Sequence, residues 1–219
     1  MSSAEAVDLV VFGAGGHAVS VAEVARSAGW RVLAFVDAQR ERTTLLGLPV
    51  IGRADAMLAA GAAVAVAIGD NAARQRVAGE LRARLPVARF PTLVHGSASV
   101  SAYAALGPGT VVMQNASVGA AARVGAFCIV NTAASIDHET VMEDFASIAP
   151  AAVTGGRVMI GLRSAVSIGA VVKHGVVIGA DSVLGANSYL HADLPGGRVA
   201  YGSPARVVRE RRVGDCYLD

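Results

Sequence analysis

A histidine between two carboxylates, in the segment Ile136-Asp137-His138-Glu139, is the clearest candidate for chemistry in this chain. A histidine titrates near neutral pH, so it can accept and return a proton during a reaction. Either Asp137 or Glu139 could hold the second ring nitrogen and fix its tautomer. Asn131, in the preceding unit, could orient a substrate by hydrogen bonding. These residue types predict a general base, and the alternative is a solvated histidine without a function.

A glycine-rich turn near the amino terminus is the second candidate site. The run Gly13-Ala14-Gly15-Gly16-His17-Ala18 has the spacing G-x-G-x-x-A, and Asp37 closes the next apolar run. Glycine lets a backbone approach a phosphate at a helix N-terminus, where free N–H groups and the dipole favour an anion. The spacing fits a dinucleotide fingerprint, but only one βαβαβ half precedes residue 90, so we predict a site for one nucleotide. The alternative is a turn that only packs a helix against a strand.

Apolar runs alternate with helical segments before residue 90, and these elements must position the glycine turn. We predict strands at 9–12, 32–36 and 64–68, and helices at about 18–28, 54–60 and 72–85. The order βαβαβα is typical of a small parallel sheet covered by helices. Asp37 and the segment Ile68-Gly69-Asp70-Asn71 fall at strand ends, where open α/β sheets bind ligands.

An aliphatic residue at every sixth position organises the rest of the chain, with Thr154 as the one polar exception. A six-residue period predicts a short strand plus a turn, repeated as a parallel β-helix. Three units close one coil, and coils stack about 4.8 Å apart. His138 falls two places after a rung, on a corner, and Gly156 has the same position in the next coil. The rungs are Val94, Val100, Leu106, Val112, Val118, Val124, Val130, Ile136, Met142, Ile148, Thr154, Ile160, Val166, Val172, Ile178, Leu184 and Leu190.

Composition limits the function classes. With 219 residues the chain can form one or two domains, and a net charge of +2 with 16% charged residues gives no nucleic-acid footprint. No apolar stretch reaches the roughly 20 residues of a membrane span, and no signal peptide is expected. Two cysteines, Cys128 and Cys216, do not make a disulfide framework, so a cytoplasmic location is the simplest prediction.

The repeats resemble those of the hexapeptide-repeat acyltransferases, whose prism is a left-handed β-helix. The whole chain also resembles a narrower group, the bacterial nucleotide-activated amino-sugar acetyltransferases. That group includes bacillosamine-type and perosamine-type N-acetyltransferases and the related sialic-acid O-acetyltransferases. We therefore expect an α/β half-Rossmann domain over residues 1–91 and a left-handed parallel β-helix over 92–219. The motifs that carry the resemblance are Gly15-Gly16-His17, Asp37, Ile68-Gly69-Asp70-Asn71 and Asn131-Thr132 through His138.

The resemblance implies roles for these residues in acetyl transfer from acetyl-CoA to the 4-amino group of a UDP- or GDP-linked amino-dideoxy sugar. His138 would be the base, held by Glu139, with Asn131 close to the reacting centre. Gly156 would contact the coenzyme, and its N–H could stabilise the oxyanion. Ile168 and Ala186 would also contact the coenzyme. The implied contacts to the nucleotide-sugar are Gly15, Gly16, His17, Asp37, Gly69 and Asn71.

The same resemblance implies bacterial glycan or lipopolysaccharide synthesis, no metal, and a homotrimer in which His138 and the coenzyme face one another across subunits. Three other functions remain open. The acceptor could be a sugar hydroxyl, as in the O-acetyltransferases. A metal-dependent enzyme could use His138 and His174, which share a phase two coils apart, roughly 10 Å by the strand spacing. A non-catalytic scaffold could bind a nucleotide.

Overall fold

The computed structural model describes residues 7–39, 41–85 and 88–217, and in them a small helix-covered sheet precedes a long prism of short parallel strands. The predicted order of elements before residue 90 is confirmed. The helices are α1 (Gly16–Ser27), α2 (Asp55–Ala59) and α3 (Asn71–Arg84). The strands of the small sheet are β1 (Asp8–Phe12), β2 (Arg31–Val36), β3 (Thr44–Leu45), β4 (Leu48–Ile51) and β5 (Ala63–Val66).

The small sheet has the order β3-β4-β2-β1-β5, with β1 parallel to both β2 and β5. The hairpin β3–β4 was not predicted, because its strands are too short to show a period. Its turn residues Leu46 and Gly47 both have positive φ, 51° and 74°, which is the geometry of a two-residue type I′ turn. β4 then adds parallel to β2 and extends the sheet beyond the three expected strands.

The prism begins with β6 and consists of two-residue strands that stack into three parallel sheets. Sheet I contains β6 (Leu93–Val94), β9 (Val111–Val112), β12 (Ile129–Val130), β15 (Ser147–Ile148), β18 (Ala165–Val166) and β21 (Val183–Leu184). Sheet II contains β7 (Ser99–Val100), β10 (Ser117–Val118), β13 (Ser135–Ile136), β16 (Val153–Thr154), β19 (Val171–Val172) and β22 (Tyr189–Leu190). Sheet III contains β8 (Ala105–Leu106), β11 (Arg123–Val124), β14 (Val141–Met142), β17 (Met159–Ile160) and β20 (Val177–Ile178). Strands β23 (Arg198–Gly202) and β24 (Ala205–Glu210) extend sheet I.

The core of the prism is the predicted ladder. Every rung from Val112 to Leu190 is buried, and the polar rung Thr154 is only 6% exposed. The first three rungs, from Val94 to Leu106, are half-buried at the open amino-terminal end. Stacking of whole coils therefore provides the apolar contacts that no single coil could make.

Sheet I differs from the other two sheets because its outer face is covered. Helix α1 packs on Leu93, Val111 and Ile129 at one end. At the other end, Tyr217 of the carboxyl-terminal segment packs on a cluster that includes Ala165. Sheets II and III instead expose apolar side chains to solvent. These side chains, 37% to 42% exposed, are Val171 and Tyr189 in sheet II and Met159 and Val177 in sheet III.

A buried arginine joins the small sheet to the prism. Arg74 on α3 is 1% exposed, and all five of its guanidinium N–H groups donate hydrogen bonds. Burial lowers the pKa of Arg74. The acceptors, at 2.7 to 2.9 Å, are the carbonyls of Ile68, Gly69, Phe127 and Phe145 and the side-chain oxygen of Asn71. Because two of these carbonyls belong to the prism, this one side chain fixes the strand-end loop of β5 against it. The domain limits 1–91 and 92–219 stay a prediction.

Candidate active site

His138 lies on the corner where the chain passes from sheet II to sheet III, which we call corner II–III (residues 119–122, 137–140, 155–158 and 173–176). Its ring Nδ1 is 3.1 Å from Oε2 of Glu139. The side chain of Asp137 does not hold the ring but accepts a hydrogen bond from the backbone N–H of His138 at 2.7 Å. With Nδ1–H directed at Glu139, Nε2 is the nitrogen left to accept a proton. The side chains of His138 and Glu139 are 50% and 57% exposed.

Gly156 lies directly beneath the imidazole. A methyl group at this position would overlap Cε1 and Nε2 of His138, so only glycine allows the ring to lie flat over the next coil. The backbone N–H of Gly156 donates to no other group in the described part of the prism. A vacant N–H group therefore stands beside the nitrogen that would act as base, as acyl transfer requires of an oxyanion site.

Asn131, Ile168 and Ala186 lie together, but on a different corner from His138. They belong to the corner between sheets I and II, which we call corner I–II (residues 131–134, 149–152, 167–170 and 185–188). All three line a cavity of about 450 Å³. One side of the triangle separates the two corners, and six residues at about 3.3 Å each span up to roughly 20 Å. A single chain therefore does not bring Asn131 or the predicted coenzyme contacts to His138.

His17 lines the same cavity from the small domain. Burial, and then the nearby Arg74 guanidinium, lower the pKa of His17 to about 4, so its ring is neutral at physiological pH. Its Nε2 atom is buried and has no hydrogen-bond partner among the described residues. Depending on the tautomer, this ring nitrogen can accept or donate a hydrogen bond to a bound ligand.

The glycines of the amino-terminal turn have two different roles. Gly13 has a φ of 116°, and a side chain there would collide with the carbonyl oxygen of Ala67, so packing alone explains it. Gly15 and Gly16 are exposed, and a side chain added at either would meet nothing within 4 Å. The fold does not require glycine at these two positions, and Gly15 is the N-cap of α1 without a side-chain cap. The open N-terminus of α1 is suited to an anion.

Asp37 lies on the other side of the glycine turn, in a separate cavity of about 550 Å³. Its side chain accepts a hydrogen bond from the backbone N–H of Gln39, and its own N–H donates to Ile51. Arg76 and Arg84 of α3 also line this cavity, and each lies near a carboxylate, Glu80 at 3.1 Å and Asp55 at 3.6 Å. Gly69, at the strand-end loop of β5, instead faces the cavity that contains His17.

Asn71 corrects one prediction. It was expected to contact the nucleotide-sugar, but its side chain is fully buried. Nδ2 donates to the carbonyls of Arg163 and Ser164 at 3.0 and 3.1 Å, and Oδ1 accepts from Arg74. Every hydrogen of the amide is used within the protein, so Asn71 links α3 to the prism and does not face a ligand.

Tyr217 also lines the cavity that contains His17, although no sequence pattern indicated a role for it. Its hydroxyl lies 3.5 Å from the hydroxyl of Ser147 and 3.5 Å from the carbonyl oxygen of Gly69. Burial raises the pKa of Tyr217. The residue comes from a carboxyl-terminal segment without a periodic pattern, and only the folding of that segment over sheet I brings it to the cavity.

Comparison with known proteins shows the family. Residues 8–81 match the PglD N-terminal domain. The chain is 35% identical to a variant of the GDP-perosamine N-acetyl transferase of Caulobacter crescentus in complex with CoA and GDP-perosamine. That match covers 95% of this chain and 100% of the other, with a TM-score of 0.88. The chain belongs to the hexapeptide-repeat nucleotide-sugar acetyltransferases. It is therefore an acyltransferase, and its prism is a left-handed parallel β-helix.

A second relative in this family is the acetyltransferase domain of PglB from Neisseria gonorrhoeae in complex with acetyl coenzyme A. It is 33% identical, over 93% of this chain and 100% of that domain, with a TM-score of 0.86. Among the described residues, no group of three or more His, Cys, Asp or Glu side chains is arranged to hold a metal ion. No helix in the same residues is long and apolar enough to cross a membrane.

Proposed function

We propose that this protein transfers the acetyl group of acetyl-CoA to the 4-amino group of a UDP- or GDP-linked amino-dideoxy sugar. The observation that carries the proposal is the His138 corner, where Glu139 holds Nδ1 and Gly156 leaves both space and a vacant N–H group beside the ring. The two relatives described above, one with CoA and GDP-perosamine and one with acetyl coenzyme A, support the choice of substrates.

In this proposal the nucleotide-sugar extends from the Asp37 cavity, across the glycine turn, to the His17 cavity. The Asp37 cavity takes the nucleoside, and Arg76 and Arg84 lie in the same cavity. The diphosphate crosses Gly15 and Gly16 at the N-terminus of α1, where no side chain obstructs it. The sugar then enters the cavity of His17 and Gly69, whose polar atoms can orient its hydroxyl and amino groups.

The chemistry follows from the tautomer of His138. As the sugar amine attacks the thioester carbonyl carbon, Nε2 of His138 takes the proton that the nitrogen loses. Glu139 stabilises the resulting imidazolium through Nδ1–H. The N–H group of Gly156 donates to the oxyanion of the tetrahedral intermediate. When the carbon–sulfur bond breaks, the imidazolium returns its proton to the leaving thiolate of CoA.

A second copy of the chain completes the site in this proposal. One side of the triangle separates His138 on corner II–III from the cavity on corner I–II. Ile168 and Ala186, the proposed coenzyme contacts, line that cavity. Sheets II and III expose apolar side chains such as Val171 and Met159, which a neighbouring prism can cover. We therefore propose a homotrimer in which corner II–III of one chain faces corner I–II of the next.

We further propose that the reaction takes place in the cytoplasm and serves bacterial glycan or lipopolysaccharide synthesis. Cys128 is a buried thiol that forms no disulfide bond, which suits a reducing compartment. Burial raises the pKa of the Cys128 thiol to about 12, so this cysteine is a packing residue and does not act as a nucleophile.

The decisive experiment supplies acetyl-CoA with a panel of UDP- and GDP-linked 4-amino sugars and follows thiol release. We expect one amino sugar to give a clearly superior kcat/KM. The panel includes the matching 4-hydroxy sugars, in which the amine is replaced by oxygen. Faster turnover of a hydroxy sugar would replace the proposal with O-acetylation, and thiol release that does not depend on any nucleotide-sugar would refute it.

A further inference from the structure

The stacking of sheet II is interrupted at one point, directly under the His138 corner. The stacked pairs of two-residue strands elsewhere in the prism, such as β10 with β13 and β16 with β19, each pair at both residues. Between β13 and β16 only Ser135 and Val153 pair, and the expected second pair of Ile136 with Thr154 is missing. The missing pair contains the single polar rung of the ladder.

The hydroxyl of Thr154 takes the place of the missing backbone acceptor. In the same column of sheet II, the backbone N–H of Gly119 donates to the carbonyl of Ile136, and that of Gly155 to the carbonyl of Val172, both at 2.8 Å. The N–H group of Asp137, at the equivalent position, instead donates to Oγ1 of Thr154 at 3.2 Å. The side chain of a buried rung therefore carries a bond that the backbone carries in neighbouring coils.

The exchanged bond lies within the corner that carries His138. The peptide between Asp137 and His138 lies so close to Gly119 that a side chain at 119 would overlap it. On the other side, the His138 ring rests on Gly156. The corner therefore lies between two glycines, and the bond from Asp137 to Thr154 joins it to the next coil. A second hydroxyl, Thr140 Oγ1, lies 3.5 Å from Thr154 Oγ1 and belongs to the same corner.

We infer that Thr154 is a positioning residue for acetyl transfer. Its hydroxyl holds the backbone of Asp137 away from the regular ladder and so places the ring of His138 over Gly156. The inference rests on the proposed role of His138 as the base. Thr154 itself touches no substrate, because it is buried inside the prism.

Replacement of Thr154 by valine tests the inference. Valine keeps the volume but lacks the hydroxyl, so the N–H group of Asp137 is free to return to the carbonyl of residue 154 and draw the corner into the regular ladder. We expect kcat to fall by about tenfold to a hundredfold, since shifts of about 1 Å at a reacting group have effects of this size. We expect KM for both substrates to stay within about twofold and the unfolding temperature to be unchanged or higher, because valine suits an apolar core.

Two further variants distinguish positioning from packing. Thr154→Ser keeps the hydroxyl and should retain most of kcat, although it removes a buried methyl group. Val112→Thr makes the reverse exchange on a buried rung of sheet I, the side of the triangle that does not border corner II–III, and should leave kcat unchanged. Should Thr154→Val not fold, Thr154→Ala and Thr154→Ser form a pair that differs only in the hydroxyl and repeats the comparison.

The outcomes separate this inference from the proposed function. His138→Ala serves as the reference, and loss of transfer in that variant supports the base. If His138→Ala is inactive while Thr154→Val keeps full kcat, the positioning role is wrong and the base stands. Equal losses in Thr154→Val and Thr154→Ser would also overturn the positioning role, because the hydroxyl would then have no part in the effect. If His138→Ala stays active, the proposed mechanism itself is wrong.

Discussion

Two corners of one prism are built on the same repeating backbone and have opposite surroundings. Corner I–II borders the small domain and the carboxyl-terminal segment, and it lines a cavity in which His17 is half-buried and neutral. Among the described residues no element covers the ring of His138 on corner II–III, which is half exposed. The repeat places side chains at equivalent points of each coil, but a cavity forms only where other elements of the chain cover a corner. In the proposed mechanism, corner I–II binds the ligands and corner II–III supplies the base.

The largest expected effect comes from removing His138, the proposed base on corner II–III. His138→Ala should lower kcat by about 10² to 10⁴, the range associated with a lost general base, while the affinity for nucleotide-sugar stays unchanged. Steady-state kinetics and calorimetric titration measure the two quantities. His174→Ala, in the same column two coils later, is the matched control and should keep near-normal kcat. Equal losses in both variants would remove the distinction between His138 and any other corner histidine.

A complementation experiment asks whether the two corners act from different chains. His138→Ala disables corner II–III, and Ala186→Trp fills the cavity on corner I–II, so each variant alone should be inactive. In mixed trimers formed at equal ratio, a site made from two chains regains both intact corners in about a quarter of cases. Two differently tagged, co-expressed variants and an acetyl-transfer assay measure this recovery. If both corners of one chain formed the site, the mixture would stay inactive.

A methyl group added at Gly156, on corner II–III, should have a smaller effect than loss of the proposed base. Gly156→Ala pushes the His138 ring off the next coil, and we expect kcat to fall by about tenfold to a hundredfold. Gly79→Ala in α3 is a suitable control, since a side chain there meets nothing within 4 Å. It should keep full activity and gain roughly 0.5 to 1 kcal/mol of helix stability. Normal kcat in Gly156→Ala would show that the ring does not act from its position over Gly156.

The smallest effect concerns His17, the half-buried histidine that lines the cavity on corner I–II. The pKa of His17 is about 4 in the folded protein and about 6.5 when unfolded, so the unfolded chain binds the proton first. The stability that neutral His17 contributes is complete above pH 6.5 and is lost as pH falls from about 6.5 to about 4. The loss is at most about 3 kcal/mol. Denaturant unfolding at pH 7.5 and pH 4, at one protein concentration, should show less acid destabilisation in His17→Gln than in the parent. Equal destabilisation would mean that His17 is solvated.

Much of the arrangement at corner II–III could be predicted from the sequence. The six-residue phase places His138 and Gly156 at the same position of adjacent coils, and the structure places the ring over that glycine. Local spacing is sufficient here because each coil repeats the backbone of the one before. The surroundings of corner I–II could not be predicted in the same way. Asn71 looked like a ligand contact, and only the packing of α3 against the prism showed that its amide is used by Arg163, Ser164 and Arg74.

The sequence by itself determined the prism, its rungs, the glycine turn and the position of the proposed base, because each follows from periodicity or from residue types close together in the chain. The tertiary structure alone decided which face of the prism is covered, which glycines the fold requires, and that Tyr217 and His17 share a cavity with Ile168. It also showed that Thr154, visible in the sequence only as a break in a pattern, bonds to the backbone of Asp137. Contacts between segments far apart in the chain depend on how whole elements pack, and no local pattern encodes that packing.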